Sequence, residues 1–155
     1  MEAASFNHQK DCIMKNSTFA ALIAALTAPA CVHAATAEPA RLTLTFETGA
    51  AAGAVMVSVF DSEAAYTGGA PVRRARVDVA GGVRTAVFAD LPPGTYAIKA
   101  FHDLDGDGRM TTNPFGRPIE PVAFSNNARG NMGAAKWEQA QLTVKGATTQ
   151  TIVIK

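Results

Sequence analysis

Three aspartates, Asp103, Asp105 and Asp107, alternate with Leu104 and Gly106 and are followed by Gly108, giving the run DLDGDG. Carboxylates this close repel one another, and a divalent cation removes that cost. The spacing is that of the first half of a calcium loop, where positions one, three and five supply oxygens and a glycine at six allows the sharp turn. Arg109 would then offer its backbone carbonyl and Thr111 a hydroxyl or a bound water, with the seventh ligand from Asn113 or Glu120. Position twelve is Pro114 rather than a bidentate Glu, and no helical pattern flanks the loop, so an EF-hand is not expected. The alternative needs no ion: an acidic, glycine-rich turn whose Asp side chains accept from their own backbone amides.

His102 stands directly before this run, on the Tyr96, Ile98, Ala100 face of the segment TYAIKAFH. It could act as a general base or metal ligand. Without a Ser or Cys partner beside it, a structural His bonded to a loop carbonyl is the expected role. Trp137 lies in a glycine-rich region and could stack on a sugar ring or cover one end of the core. Ser125, Asn126 and Asn127 in FSNNARG read either as an amide-lined groove for sugar hydroxyls or as a network stapling a long loop. Arg74 and Arg76, next to Arg73, share the solvent face of one strand and read as a charged edge that discourages strand pairing.

The elements that position these residues are short. Gly and Pro cut residues 35–155 into segments of β-rich composition, leaving little room for helices. Arg41 to Glu47 alternates, with Leu42, Leu44 and Phe46 on one face; Ala54 to Phe60 places Val55, Val57 and Val59 together. Val72 to Val79 and Val83 to Phe88 flank Gly81-Gly82, which predicts a tight hairpin. Thr95 to His102 is the next strand, and Ala140 to Val144 with Thr149 to Ile154 predicts a closing hairpin around Lys145-Gly146. About seven such strands suggest an all-β, antiparallel sandwich of the immunoglobulin-like kind, a small barrel being the alternative. One long loop, about 103–139, breaks the rhythm; Pro121 to Ser125 is its one strand-like stretch, and Ala134 to Ala140 could form a helical turn. At this size one core is filled, with nothing left for an internal cavity, so sites are expected on loops at the sandwich ends. A carrier for a small apolar ligand would need a hollow between the sheets, which the same argument disfavours.

The chain has 155 residues, 48% apolar and 17% charged, with a formal charge of +1 that gives no uniform field for nucleic acid or an anionic membrane. Phe19 to Ala30 is an apolar run preceded by Lys15 and followed by Val32-His33-Ala34, the pattern of a secretory signal peptide cleaved near Ala34. It is too short for the roughly 20 residues of a transmembrane helix. Met14 is a better start than Met1, because the stretch before it has no role in export. Residues 1–34 are thus read as an upstream extension and signal peptide, and 35–155 as one sandwich domain in the periplasm or secreted. Both cysteines, Cys12 and Cys31, fall before the cleavage point, and lipidation at Cys31 is not expected because Ala28 replaces the usual large aliphatic.

The run YAIKAFHDLDGDGRMTTNPFGRPIEPVAFSNNARG resembles the signature of a bacterial exported family catalogued as domain of unknown function 2141. The resemblance is densest from Leu91 to Val144, where His102-Asp103, the acidic loop, Asn113, Gly116, Pro118, Glu120 and Phe124-Ser125-Asn126-Asn127 follow in order. The family pattern usually has Asn at the places of Asp105 and Asp107 and Asp at that of Thr111, so an ion site stays plausible while its ligand set changes. The resemblance implies a sandwich similar to the prealbumin-like and carboxypeptidase-regulatory-type folds, and no activity. The expected function is a non-catalytic binding or structural module of the cell envelope with a calcium-ordered loop, its partner an envelope component or saccharide. The rival is a small metal-dependent hydrolase using the acidic loop and His102.

Overall fold

The computed structural model describes residues 39–155. The signal peptide, its cleavage point, the Met14 start and both cysteines lie outside the described residues. The described chain is a two-sheet β-sandwich of eight strands: β1 (Ala40–Thr48), β2 (Ala54–Phe60), β3 (Arg73–Asp78), β4 (Thr85–Leu91), β5 (Gly94–Asp103), β6 (Val122–Phe124), β7 (Leu142–Val144) and β8 (Ala147–Ile154). Two short helices, α1 (Glu63–Gly68) and α2 (Trp137–Ala140), complete it. Among the described residues no helix is long and apolar enough to cross a membrane.

One sheet has the order β4-β1-β8 and the other β3-β2-β5-β6, with β7 also paired to β5. Alternation drives the packing. Leu42, Leu44 and Phe46 of β1 meet Val55, Val57 and Val59 of β2, Ile98 of β5 and Ile152 and Ile154 of β8, in one buried cluster. A second cluster lies on the outer face of the larger sheet, where Tyr66 of α1, Ala140 of α2 and Ala135 just before α2 cover Phe60, Ala97 and Phe124. Helix α1, absent from the sequence reading, starts at Ser62, whose hydroxyl accepts from the Ala65 amide at 3.4 Å.

Both expected hairpins are corrected. β3 pairs with β2 and β4 with β1, so the turn at Gly81-Gly82 carries the chain from one sheet to the other. Only Gly82 takes a positive φ there, at 85°, while Asp78 ties the turn by accepting from the Gly81 amide at 3.1 Å. Likewise β7 pairs with β5, and β8 lies parallel to β1 in unbroken register from Arg41 opposite Ala147 to Thr48 opposite Ile154. Gly146, with φ 55°, turns the chain across the sandwich, and its carbonyl accepts from the Arg41 amide at 2.7 Å. The smaller sheet is therefore mixed. Local turn chemistry records that the chain bends; it does not record which sheet receives the next strand.

On the flank of β5 away from β2, β6 pairs at Lys99–Phe101 and β7 at Gly94–Tyr96. The gap between them is filled by Ser125. Its hydroxyl accepts from the Ile98 amide at 2.9 Å and donates to the Ala140 carbonyl, so a side chain replaces the missing ladder bond.

Candidate functional site

The acidic run leaves the end of β5. Asp103 is fully buried, and its two oxygens accept from the amides of Gly106 at 2.7 Å and Gly108 at 3.0 Å. Glu120, also buried, reaches back from the far end of the loop and accepts from Leu104 at 3.2 Å and Thr111 at 3.0 Å. Burial by itself raises the Asp103 pKa. The Gly108 and Gly106 amides, the Asp105 side chain and the charge of Arg76 outweigh it and hold the carboxyl below its ordinary value.

Asp103, Asp105 and Glu120 each bring a carboxylate oxygen within 4.8 Å of the others. The remaining members of the expected ligand set are used locally. Asp107 accepts from Arg109 at 2.7 Å, and Asn113 accepts from the Phe115 and Arg117 amides at 3.0 Å, which closes a turn of its own. The Thr111 carbonyl accepts from Ile119. Of the four carboxylates in the expected ligand set, the structure brings Asp103, Asp105 and Glu120 together, while all four also accept from loop amides.

His102 and Asp103 point to opposite faces of β5, as alternation requires. The imidazole is 1% exposed on the core side, with Nε2 2.6 Å from the Ala52 carbonyl. The amide residues are also engaged. Asn126 donates to the Gln139 and Gln141 carbonyls and accepts from Gln150; Asn127 donates to the Thr151 carbonyl at 3.3 Å and accepts from the Val153 amide at 2.8 Å. Asn127 thereby imitates a strand residue on the free flank of β8. Both asparagines hold a left-handed backbone, with φ of 58° and 52°, which Asn tolerates better than most residues.

Trp137 packs edge-on against Tyr66, with ring centroids 5.8 Å apart, and Tyr66 packs edge-on against Phe60 at 5.5 Å. The Lys99 ammonium sits 4.2 Å from the Tyr66 ring centroid and donates to the Tyr66 carbonyl. Burial pushes the Lys99 pKa down and the Tyr66 phenol up to about 12. A cleft of about 430 Å³ opens beside Tyr66 and Trp137.

A larger groove, of about 690 Å³, runs along the outer face of the five-stranded sheet. Phe60, Phe101 and Phe124 form much of its floor, Met110, Arg117 and Pro118 of the acidic loop one wall, and Met132 to Ala134 the other. Lys99 lines both openings. This groove lies on a sheet face rather than at the sandwich ends where sites are expected, and the argument against an internal hollow does not reach a groove outside the sheets. A signal was available in TYAIKAFH, whose second face carries Lys99 and Phe101, an outward aromatic beside a cation. None of His102, Ser125, Asn126, Asn127 and Trp137 lines this groove. Arg73, Arg74 and Arg76 lie exposed on β3, the edge strand of the same sheet.

A family model described as an uncharacterised protein conserved in bacteria (DUF2141) matches residues 47–152, a span that takes in the five-stranded sheet, the acidic loop and the groove. No curated protein and no solved structure matches, so the prealbumin-like likeness stays an analogy.

Proposed function

The chain belongs to the DUF2141 family, and on that premise we propose that it is an exported, non-catalytic binding module of the cell envelope that holds a small, largely apolar molecule on the outer face of its five-stranded sheet. The groove of about 690 Å³ carries the reading: it falls within the range of small-molecule sites, is floored by aromatic rings and has few polar groups. In this reading the acidic loop is a wall. Asp103 and Glu120 pin its two ends through backbone amides, and a calcium ion shared by Asp103, Asp105 and Glu120 would stiffen it further. The separation of His102 from Asp103 by the pleat of β5 favours this over metal-assisted hydrolysis, which needs base, metal and substrate on one side.

The test is titration with a neutral fluorescent apolar probe, N-phenylnaphthylamine. Saturable binding at one site per chain is expected, abolished by Phe101→Asp with the thermal melt retained. Binding that is absent, or indifferent to Phe101→Asp, would overturn the reading. Export is tested by sequencing the N-terminus of the protein recovered from a bacterial periplasm, expected to begin at Ala35.

A further inference from the structure

Two cations, Lys99 and Arg117, and one carboxylate, Glu120, line the groove. Cross-strand register places Arg74, Ser58, Lys99 and Phe124 in one row across the outer face and Arg76, Met56, Phe101 and Val122 in the next. Arg117 adds a further cation from the loop wall. The carboxylate lining the groove, Glu120, has both oxygens occupied by the Leu104 and Thr111 amides. Lys99 differs from the arginines because it stands between the aromatic floor and the Tyr66 ring. One of its three N–H groups is taken by the Tyr66 carbonyl. Burial lowers its pKa.

We propose that the groove selects an amphipathic organic anion, with an extended apolar body on Phe101, Phe124 and Met110 and a terminal carboxylate on the Lys99 ammonium. This rests on the binding-module reading and adds the sign and position of the ligand's charge. A carboxylate reaching a partly desolvated ammonium makes a charge-assisted hydrogen bond, stronger than a neutral one. A neutral amphiphile gains only the apolar contact. A cationic one meets the Lys99 ammonium.

The full chain is titrated calorimetrically with decanoate, decanol and decyltrimethylammonium. Decanoate should bind at least about tenfold more tightly than decanol, with the ammonium compound weakest. Lys99→Gln should bring decanoate down to the affinity of decanol and leave decanol unchanged. Because Lys99 packs against two rings, the same question is put to the unaltered protein by carbon-13 NMR: the Lys99 Cε resonance should move with decanoate and stay still with decanol. Equal affinities for decanoate and decanol, or a stationary Lys99 resonance, overturn the charge assignment and leave the groove reading standing. Failure of all three compounds to bind overturns the groove reading itself.

Discussion

Ser125 accepts the amide proton of Ile98 at 2.9 Å, at the point along β5 where β6 has ended and β7 has not begun. One hydroxyl joins two strand fragments, because it also donates to the Ala140 carbonyl. Ser125→Ala orphans a buried donor and a buried acceptor, each costing about 1–3 kcal/mol. The urea midpoint should fall with an unchanged slope, and an unchanged midpoint would remove Ser125 from the account of this sheet.

Acid should loosen the groove wall through Asp103. Its folded pKa is depressed below 3.8, so its contribution is full above that value and is lost as pH falls through the folded pKa. Thermal melts from pH 6 to about pH 2 should show a decline in the wild type that is shallower in Asp103→Asn, whose neutral-pH stability is already lower by roughly 1–3 kcal/mol. Parallel profiles would rule out Asp103 as the titrating group.

Calcium should raise the melting temperature and chelator should reverse the rise. At about one hundred times Kd a single site adds roughly 2.7 kcal/mol. Asp105→Asn, at an exposed position, should abolish the rise while scarcely changing the calcium-free melt. Superimposable melts across millimolar calcium would dismiss the ion and leave the amide clamps as the sole fastening.

Glycine substitutions should divide sharply. A Cβ at Gly53, where φ is 68°, would stand 2.0 Å from the Asp103 carbonyl oxygen, so Gly53→Ala should fail to fold or lose well over about 3 kcal/mol. Gly82 also has a positive φ, 85°, but nothing stands within 4 Å of its added Cβ, and Gly82→Ala should cost only about 1–2 kcal/mol. Comparable losses in denaturant melts would refute the close-approach argument.

The Tyr66 phenol should titrate late, at about 12 rather than 10.0, in an absorbance titration of the folded protein. Its raised pKa contributes stability that is present below the unfolded value and lost as pH rises toward 12. Tyr66→Phe, which deletes the 2.9 Å bond to the Ala135 carbonyl, should flatten the alkaline limb of the melting profile.

Much of the fold is legible in the residues because burial on one face forces alternation. Leu42, Leu44 and Phe46 announce β1 and its core side before any contact is known. Pairing is not legible in the same way. The partners of β3, β4, β7 and β8 follow from how the sheets close, and Gly82 and Gly146 bend the chain identically whether the next strand returns or crosses. The acidic cluster is visible through its spacing, and Glu120 through its isolation. Of the groove, only the Lys99–Phe101 face of β5 is, since the rest of its floor comes from Phe60 and Phe124 on other strands and its wall from a loop whose path the Asp103 and Glu120 clamps decide.

The parallel pairing of β1 with β8 also governs how the molecule can be made. β1 is the middle strand of its sheet, flanked by β4 on one side and by β8, the last strand in the chain, on the other. A chain delivered from its N-terminus holds β1 with one flank open until β8 arrives. Contacts this distant in sequence make folding slow and late, and the unfinished chain stays extended and open to proteases and chaperones. Removal of β8 would therefore do more than trim an edge: it would leave β1, the middle strand of its sheet, unpaired along one whole flank.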